Sequence, residues 1–170
     1  MKGTLKRLDT VHDKLSTAIR TTNPNLFFKR PSENEWNIAE VVQHLCLAEE
    51  HVLKDLRKSL QTAPAKVGFL KKLIPMKIIS LRLVRVKAPR AVTPNNPPAM
   101  DELLRSYDQV RVDLKQLCAE YGNDRLKEVC FKHPFLGNID GMAAVSMVAF
   151  HEERHYKQIR DIIKKLGALN

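Results

Sequence analysis

Four stretches of this chain repeat apolar residues at steps of three and four, and that period restricts it to packed helices. The first stretch carries Leu5, Leu8, Val11 or His12, Leu15 and Ile19. This predicts a helix from about Lys2 to Thr21, stopped by Asn23-Pro24-Asn25. The second carries Ile38, Val41, Val42, Leu45, Ala48, Val52, Leu56 and Leu60. Asn37 is placed as its N-cap, with Glu40 at the capping-box position. The third begins near Ala99, buries Met100, Leu103, Leu104, Tyr107, Val110, Leu114 and Leu117, and is expected to end at Tyr121-Gly122-Asn123. The fourth runs from about Asp140 to Leu166, with Gly167 as its stop.

Between the second and third stretches, Pro64, Pro75, Pro89, Pro94, Pro97 and Pro98 interrupt any long element. Residues 62–98 therefore read as a long crossover, irregular or short-helical, with amphipathic turns expected over 69–79. No strand is convincing; Leu81 to Lys87 alternates only weakly. Four long helices, one crossover and one core define an all-α four-helix bundle, and 170 residues suit a single domain spanning 1–170.

The charge is uneven. The net charge is +10, and from Lys54 to Arg90 the only acid is Asp55. Such a segment attracts anionic partners. Only Phe69 stands among those charges, so base stacking is unsupported and nucleic acid is not favoured. Cys46, Cys118 and Cys130 form no Cys-x-x-Cys pair, which argues against a disulfide framework or a thiolate zinc site. No apolar run is long enough to span a bilayer, and no signal core follows the first basic residues. The expected location is the cytoplasm.

The fourth stripe is broken by chemistry. It reads Ala144, Met147 or Val148, His151, His155, Ile159, Ile162 or Ile163, Leu166, so two imidazoles replace apolar residues one turn apart. His44 does the same between Val41 and Ala48 on the second helix. A buried imidazole must hydrogen-bond or ligate something. Two readings stay open on pattern alone: a divalent-metal site made by His44, His151 and His155, or a hydrogen-bonded core cluster. Gln158 lies on the same face and could orient an imidazole or serve only as a helix-boundary residue. Glu40, one turn before His44, could orient that ring, but its capping role is favoured.

His151-Glu152-Glu153-Arg154-His155 also matches the His-Glu-x-x-His zinc-protease pattern, with Glu152 as base. No His or Glu follows His155 to complete such a site, and Glu152 and Glu153 read as solvated charges. His12 and His51 also lie on helices. His133 precedes a proline where a tight turn is expected.

Three segments together resemble the DinB/YfiT superfamily, in its DinB-like branch. They are Trp36-Asn37-Ile38-Ala39-Glu40-Val41-Val42-Gln43-His44-Leu45, His133-Pro134-Phe135-Leu136-Gly137, and His151-Glu152-Glu153-Arg154-His155-Tyr156-Lys157-Gln158-Ile159 with its His-x-x-x-His-x-x-Gln-Ile signature. The resemblance implies an up-down-down-up bundle, often a homodimer. It implies a divalent metal, nickel or zinc in different members, held by His44, His151 and His155; iron is a further expectation for the same site. It implies a metal-dependent transferase or hydrolase acting on a small-molecule substrate, in the transferases with a low-molecular-weight thiol such as bacillithiol, mycothiol or glutathione. The competing expectation is a non-catalytic bundle whose basic surface holds nucleic acid or an acidic protein.

Overall fold

The computed structural model describes residues 1–63, 88–133 and 136–167. The described residues form four α-helices: α1 (Lys2–Arg20), α2 (Ile38–Leu60), α3 (Met100–Lys127) and α4 (Gly141–Gly167). Short 3-10 turns occupy Pro24–Leu26 and Arg90–Val92. The amphipathic turns expected over 69–79, the weak alternation at Leu81 to Lys87 and most of the basic segment lie outside the described residues.

The start of α2 is built as its sequence requires. The Asn37 side chain accepts from the Glu40 backbone N–H at 2.8 Å, and Glu40 accepts from the Asn37 N–H at 2.9 Å. This capping box satisfies two donors that the first turn leaves open. Asn37→Ala is expected to cost about 1 kcal/mol, read as a lower urea midpoint at unchanged slope. Asp140 caps α4 with its side chain alone, accepting from the Ala143 N–H at 2.8 Å.

Contacts fix the helix directions. Gln43 bonds the backbone of Asn95, Cys46 approaches Leu103, Glu49 meets Arg111 and Leu60 meets Arg125, so α2 and α3 run parallel. Arg7 pairs with Glu153, while Thr22 and Ile163 line one groove, so α1 and α4 are also parallel. Lys115 reaches Asp9 and His12 reaches Asp108, which sets α3 antiparallel to α1. The order is up-down-down-up.

Two features differ from the sequence expectation. Gly122 does interrupt α3, with φ 70° and ψ 175°, a region open essentially only to glycine. The helix then resumes, because Leu126 is fully buried in the core and holds the last turn in place. The connector after α3 also holds strands, where the sequence shows none that is convincing. It forms an antiparallel hairpin, β1 (Cys130–His133) with β2 (Gly137–Asp140), that turns Phe131 and Ile139 inward. Gly141 sits directly beneath it; a Cβ there would meet the Leu126 carbonyl oxygen at 2.7 Å.

The core separates into two apolar clusters. One holds Leu8, Val52, Leu114 and Val148; the other holds Leu15, Leu45, Leu104 and Ile159. Along each helix a buried polar residue stands between the two clusters: His12, Glu49, Arg111 and Glu152.

Candidate metal centre

α2 delivers His44 and α4 delivers His151 and His155, all well inside their helices. His44 and His155 are buried and His151 is half-buried. The Nε2 atom of His151 lies 3.3 Å from that of His44 and 3.1 Å from that of His155. One ligating nitrogen from each ring falls within 4.8 Å of the others. Two nitrogens on one tetrahedral ion, each at about 2.0–2.1 Å, stand roughly 3.3 Å apart. The donor set therefore fits a divalent cation of borderline softness.

The outer nitrogens are occupied elsewhere. His44 Nδ1–H donates to the Val92 carbonyl at 2.7 Å. His155 Nδ1–H donates to Gln158 Oε1 at 2.9 Å. Each bond leaves an Nε2 lone pair facing the cluster, as metal-ligating histidines require. Gln158 thus orients an imidazole. Glu40 does not reach His44's outer nitrogen: it completes the capping box and pairs with Arg30. Trp36 stacks obliquely on His44, with ring centroids 5.1 Å apart, and walls one side of the cluster.

Burial pushes all three imidazoles below their ordinary 6.5. His151 falls to about 3, from desolvation and then from the neighbouring His44. His155 is held well down by burial and by His151 and His44. At neutral pH the rings are uncharged, the form that ligates metal. In the metal-free protein, folding stability is full above about pH 6.5 and is lost as pH falls, because the unfolded chain takes up protons that the native rings refuse. For His151 the loss between pH 7 and 5 is expected to reach up to about 2 kcal/mol, measured by urea melts at both values. Equal stability at the two pH values would contradict this.

The remaining candidates separate clearly. His51 is exposed and faces Asp55. His133 accepts from the Leu136 N–H at 3.0 Å within the hairpin. Cys46 is buried, with its thiol pushed up to about 12 by burial and by Glu49 and Glu50, and is unreactive. Glu153 is partly exposed and pairs with Arg7 and Lys157. Glu152 is not a solvated charge: it is fully buried and accepts from the Tyr107 hydroxyl. Both that hydrogen bond and the ion pair with Arg111 hold its Oε1 in the core, and this burial takes away the carboxylate that the protease reading needs as a base.

Sequence reasoning missed three contributors. Val92 acts through its backbone and leaves no side-chain signature. Trp36 was read as a motif residue, not as a wall. The polar layer of Glu49, Arg111 and Glu152 was legible in principle, since each is a charge set at helical spacing within an apolar stripe. His12 belongs to the same layer, stacked on Tyr107 at 4.3 Å.

A four-helix bundle in which two helices converge three neutral imidazoles carries a possible metal site. Residues 7–159 match the DinB superfamily, and the chain belongs to it. It is 27% identical over 139 residues to the uncharacterized protein YuaE of Bacillus subtilis (strain 168), covering 81% of this chain and 83% of that one. Two solved structures share the fold. TT2238, described as a four-helix bundle protein, superposes with a TM-score of 0.65 at 20% identity, over 94% of this chain and 98% of its own. YfiT from Bacillus subtilis, described as a probable metal-dependent hydrolase with an unusual four-helix bundle topology, gives 0.66 at 16% identity, over 98% and 87%.

Proposed function

We propose that the chain is a metal-dependent enzyme acting on a small molecule, with a divalent ion, nickel or zinc, on His44, His151 and His155. The convergence of three Nε2 atoms, with the outer nitrogens of His44 and His155 committed to Val92 and Gln158, is the observation that carries this reading. YfiT's description as a probable metal-dependent hydrolase agrees with it. When bound, such an ion lowers the pKa of a thiol or water beside it and so supplies a nucleophile at neutral pH.

The chain's own residues do the rest. Val92 and Gln158 fix the tautomers, and Trp36 excludes water from one side. His151 is the least buried ligand, so substrate approaches from its side. With Glu152 held in the core by Tyr107 and Arg111, the proton that the thiol or water gives up does not pass to that carboxylate. A thiol-dependent transferase and a hydrolase share this site, and their first ligand differs.

Cobalt(II) loading separates them. A sulfur-to-cobalt charge-transfer band on adding glutathione or bacillithiol identifies the transferase; ester or amide turnover without such a band identifies the hydrolase. Protein that takes up no stoichiometric metal refutes both. The competing reading, a nucleic-acid or acidic-protein binding bundle, rests mainly on basic residues within 64–87, outside the described residues.

A further inference from the structure

We infer that Arg111 is a positioning residue for the metal centre, clamping together the two helices that supply its ligands. This rests on the three-histidine reading above. Arg111 belongs to α3, which contributes no ligand. Its Nη2 lies 3.1 and 3.2 Å from the two carboxylate oxygens of Glu49 on α2, and 2.7 Å from Glu152 Oε1 on α4. Glu49 follows His44 by five residues; Glu152 is the residue after His151. The guanidinium is 5% exposed, Glu49 2% and Glu152 0%, so the contacts are shielded from solvent. Tyr107, one turn before Arg111, donates its hydroxyl to the same Glu152.

The geometry couples this layer to the imidazoles. Successive residues on a helix are separated by about 100°, so fixing the direction of Glu152 fixes those of His151 and His155 on either side of it. A rotation of α4 by about 20° would carry an atom at side-chain radius by roughly 2 Å. That is about one full metal–nitrogen bond length of ~2.0–2.1 Å. Apolar packing alone tolerates such small rotations, because leucine and isoleucine surfaces slide without losing much contact area. A buried guanidinium shared by two carboxylates does not, because each ion pair depends on short distance and direction.

Stability gives no reason to keep the layer. Replacing a buried ion cluster by well-packed apolar residues is often neutral or stabilising. What the layer adds is a defined angular and axial register between α2 and α4.

The test compares the parent with the apolar variant Glu49→Leu/Tyr107→Phe/Arg111→Met/Glu152→Leu, and with the single change Arg111→Lys. The first removes every charge together and is expected to fold. The second keeps the charge but replaces the planar guanidinium, whose Nη2 makes all three contacts, with a shorter-reaching ammonium, and covers the case in which the first fails to fold. Zinc affinity in the folded variants is expected to fall about 10–100-fold, the usual effect of removing groups that orient ligands. The visible spectrum of bound cobalt(II) is expected to change in intensity. Affinity and spectrum equal to the parent's in a folded variant would overturn the clamp. Imidazole resonances of the metal-free proteins give a metal-independent readout, and are expected to shift for His44, His151 and His155. A parent that binds no metal refutes the metal reading, and unchanged imidazole resonances in the variants then refute the clamp separately.

Discussion

His151→Ala is expected to weaken metal binding by about 100-fold or more while making the metal-free protein more resistant to acid. The first effect follows from the central position of His151, whose Nε2 is within 3.3 Å of both other ligating nitrogens. Structural zinc sites contribute about 10–16 kcal/mol in total, so one ligand of three or four is worth roughly 3 kcal/mol, about 100-fold in affinity. The second effect follows from burial, which drives the imidazole down to about 3 and makes its protonation a cost of folding in acid. Removing the ring removes that cost. Trp36 is the single tryptophan of the chain and stacks on His44, so its fluorescence should report nickel binding directly. In the parent, nickel at about 100 times its dissociation constant should add about 2.7 kcal/mol to stability; in the variant the same concentration should add little. A variant that retains parental quenching and stabilisation would remove His151 from the ligand set.

Arg111→Met by itself is expected to be far more damaging to the fold, by about 3–5 kcal/mol. Burial pushes Glu49 well up and Glu152 adds to this, while Arg111 draws it back down. Glu152 is held down against its burial by His12, Arg111 and Tyr107, so it is ionised. Arg111 faces that charge at 2.7 Å in the middle of the bundle. Without it, a buried carboxylate keeps only the Tyr107 hydroxyl and His12 beside it, and no full countercharge. The loss is a large share of the roughly 5–15 kcal/mol that holds an ordinary domain together. Denaturant midpoints measure it. Adding Glu49→Leu, Tyr107→Phe and Glu152→Leu to the same protein should restore most of the loss, because the uncompensated charge goes with them. A loss of under about 1 kcal/mol would show that Glu152 is already neutral in the folded state.

The parts legible in the sequence were those written as departures from a regular pattern. His44, His151 and His155 stood out because imidazoles replaced apolar residues in helical stripes. Asn37 and Glu40 stood out because capping follows short local rules. The hairpin at 130–140 did not, since four-residue strands are too short for a period to register. Gly122 was read correctly as a break and incorrectly as an end, because what continues α3 is the burial of Leu126, a contact made across the bundle. The polar layer was overlooked for a related reason. Glu49, Arg111 and Glu152 look like surface charges until three helices bring them together, although each occupies a position in an apolar stripe, as the three histidines do. The Val92 carbonyl that holds His44 had no signature at all, because any residue there offers the same oxygen.

Anomalous diffraction from crystals of untagged protein, recorded on either side of the nickel and zinc absorption edges, bears most directly on whether the three rings share an ion. One peak is expected, at about 2.0–2.1 Å from Nε2 of His44, His151 and His155. A map with no peak between those nitrogens, in crystals grown with the metal present, would show that the imidazoles are a hydrogen-bonded core cluster and nothing more.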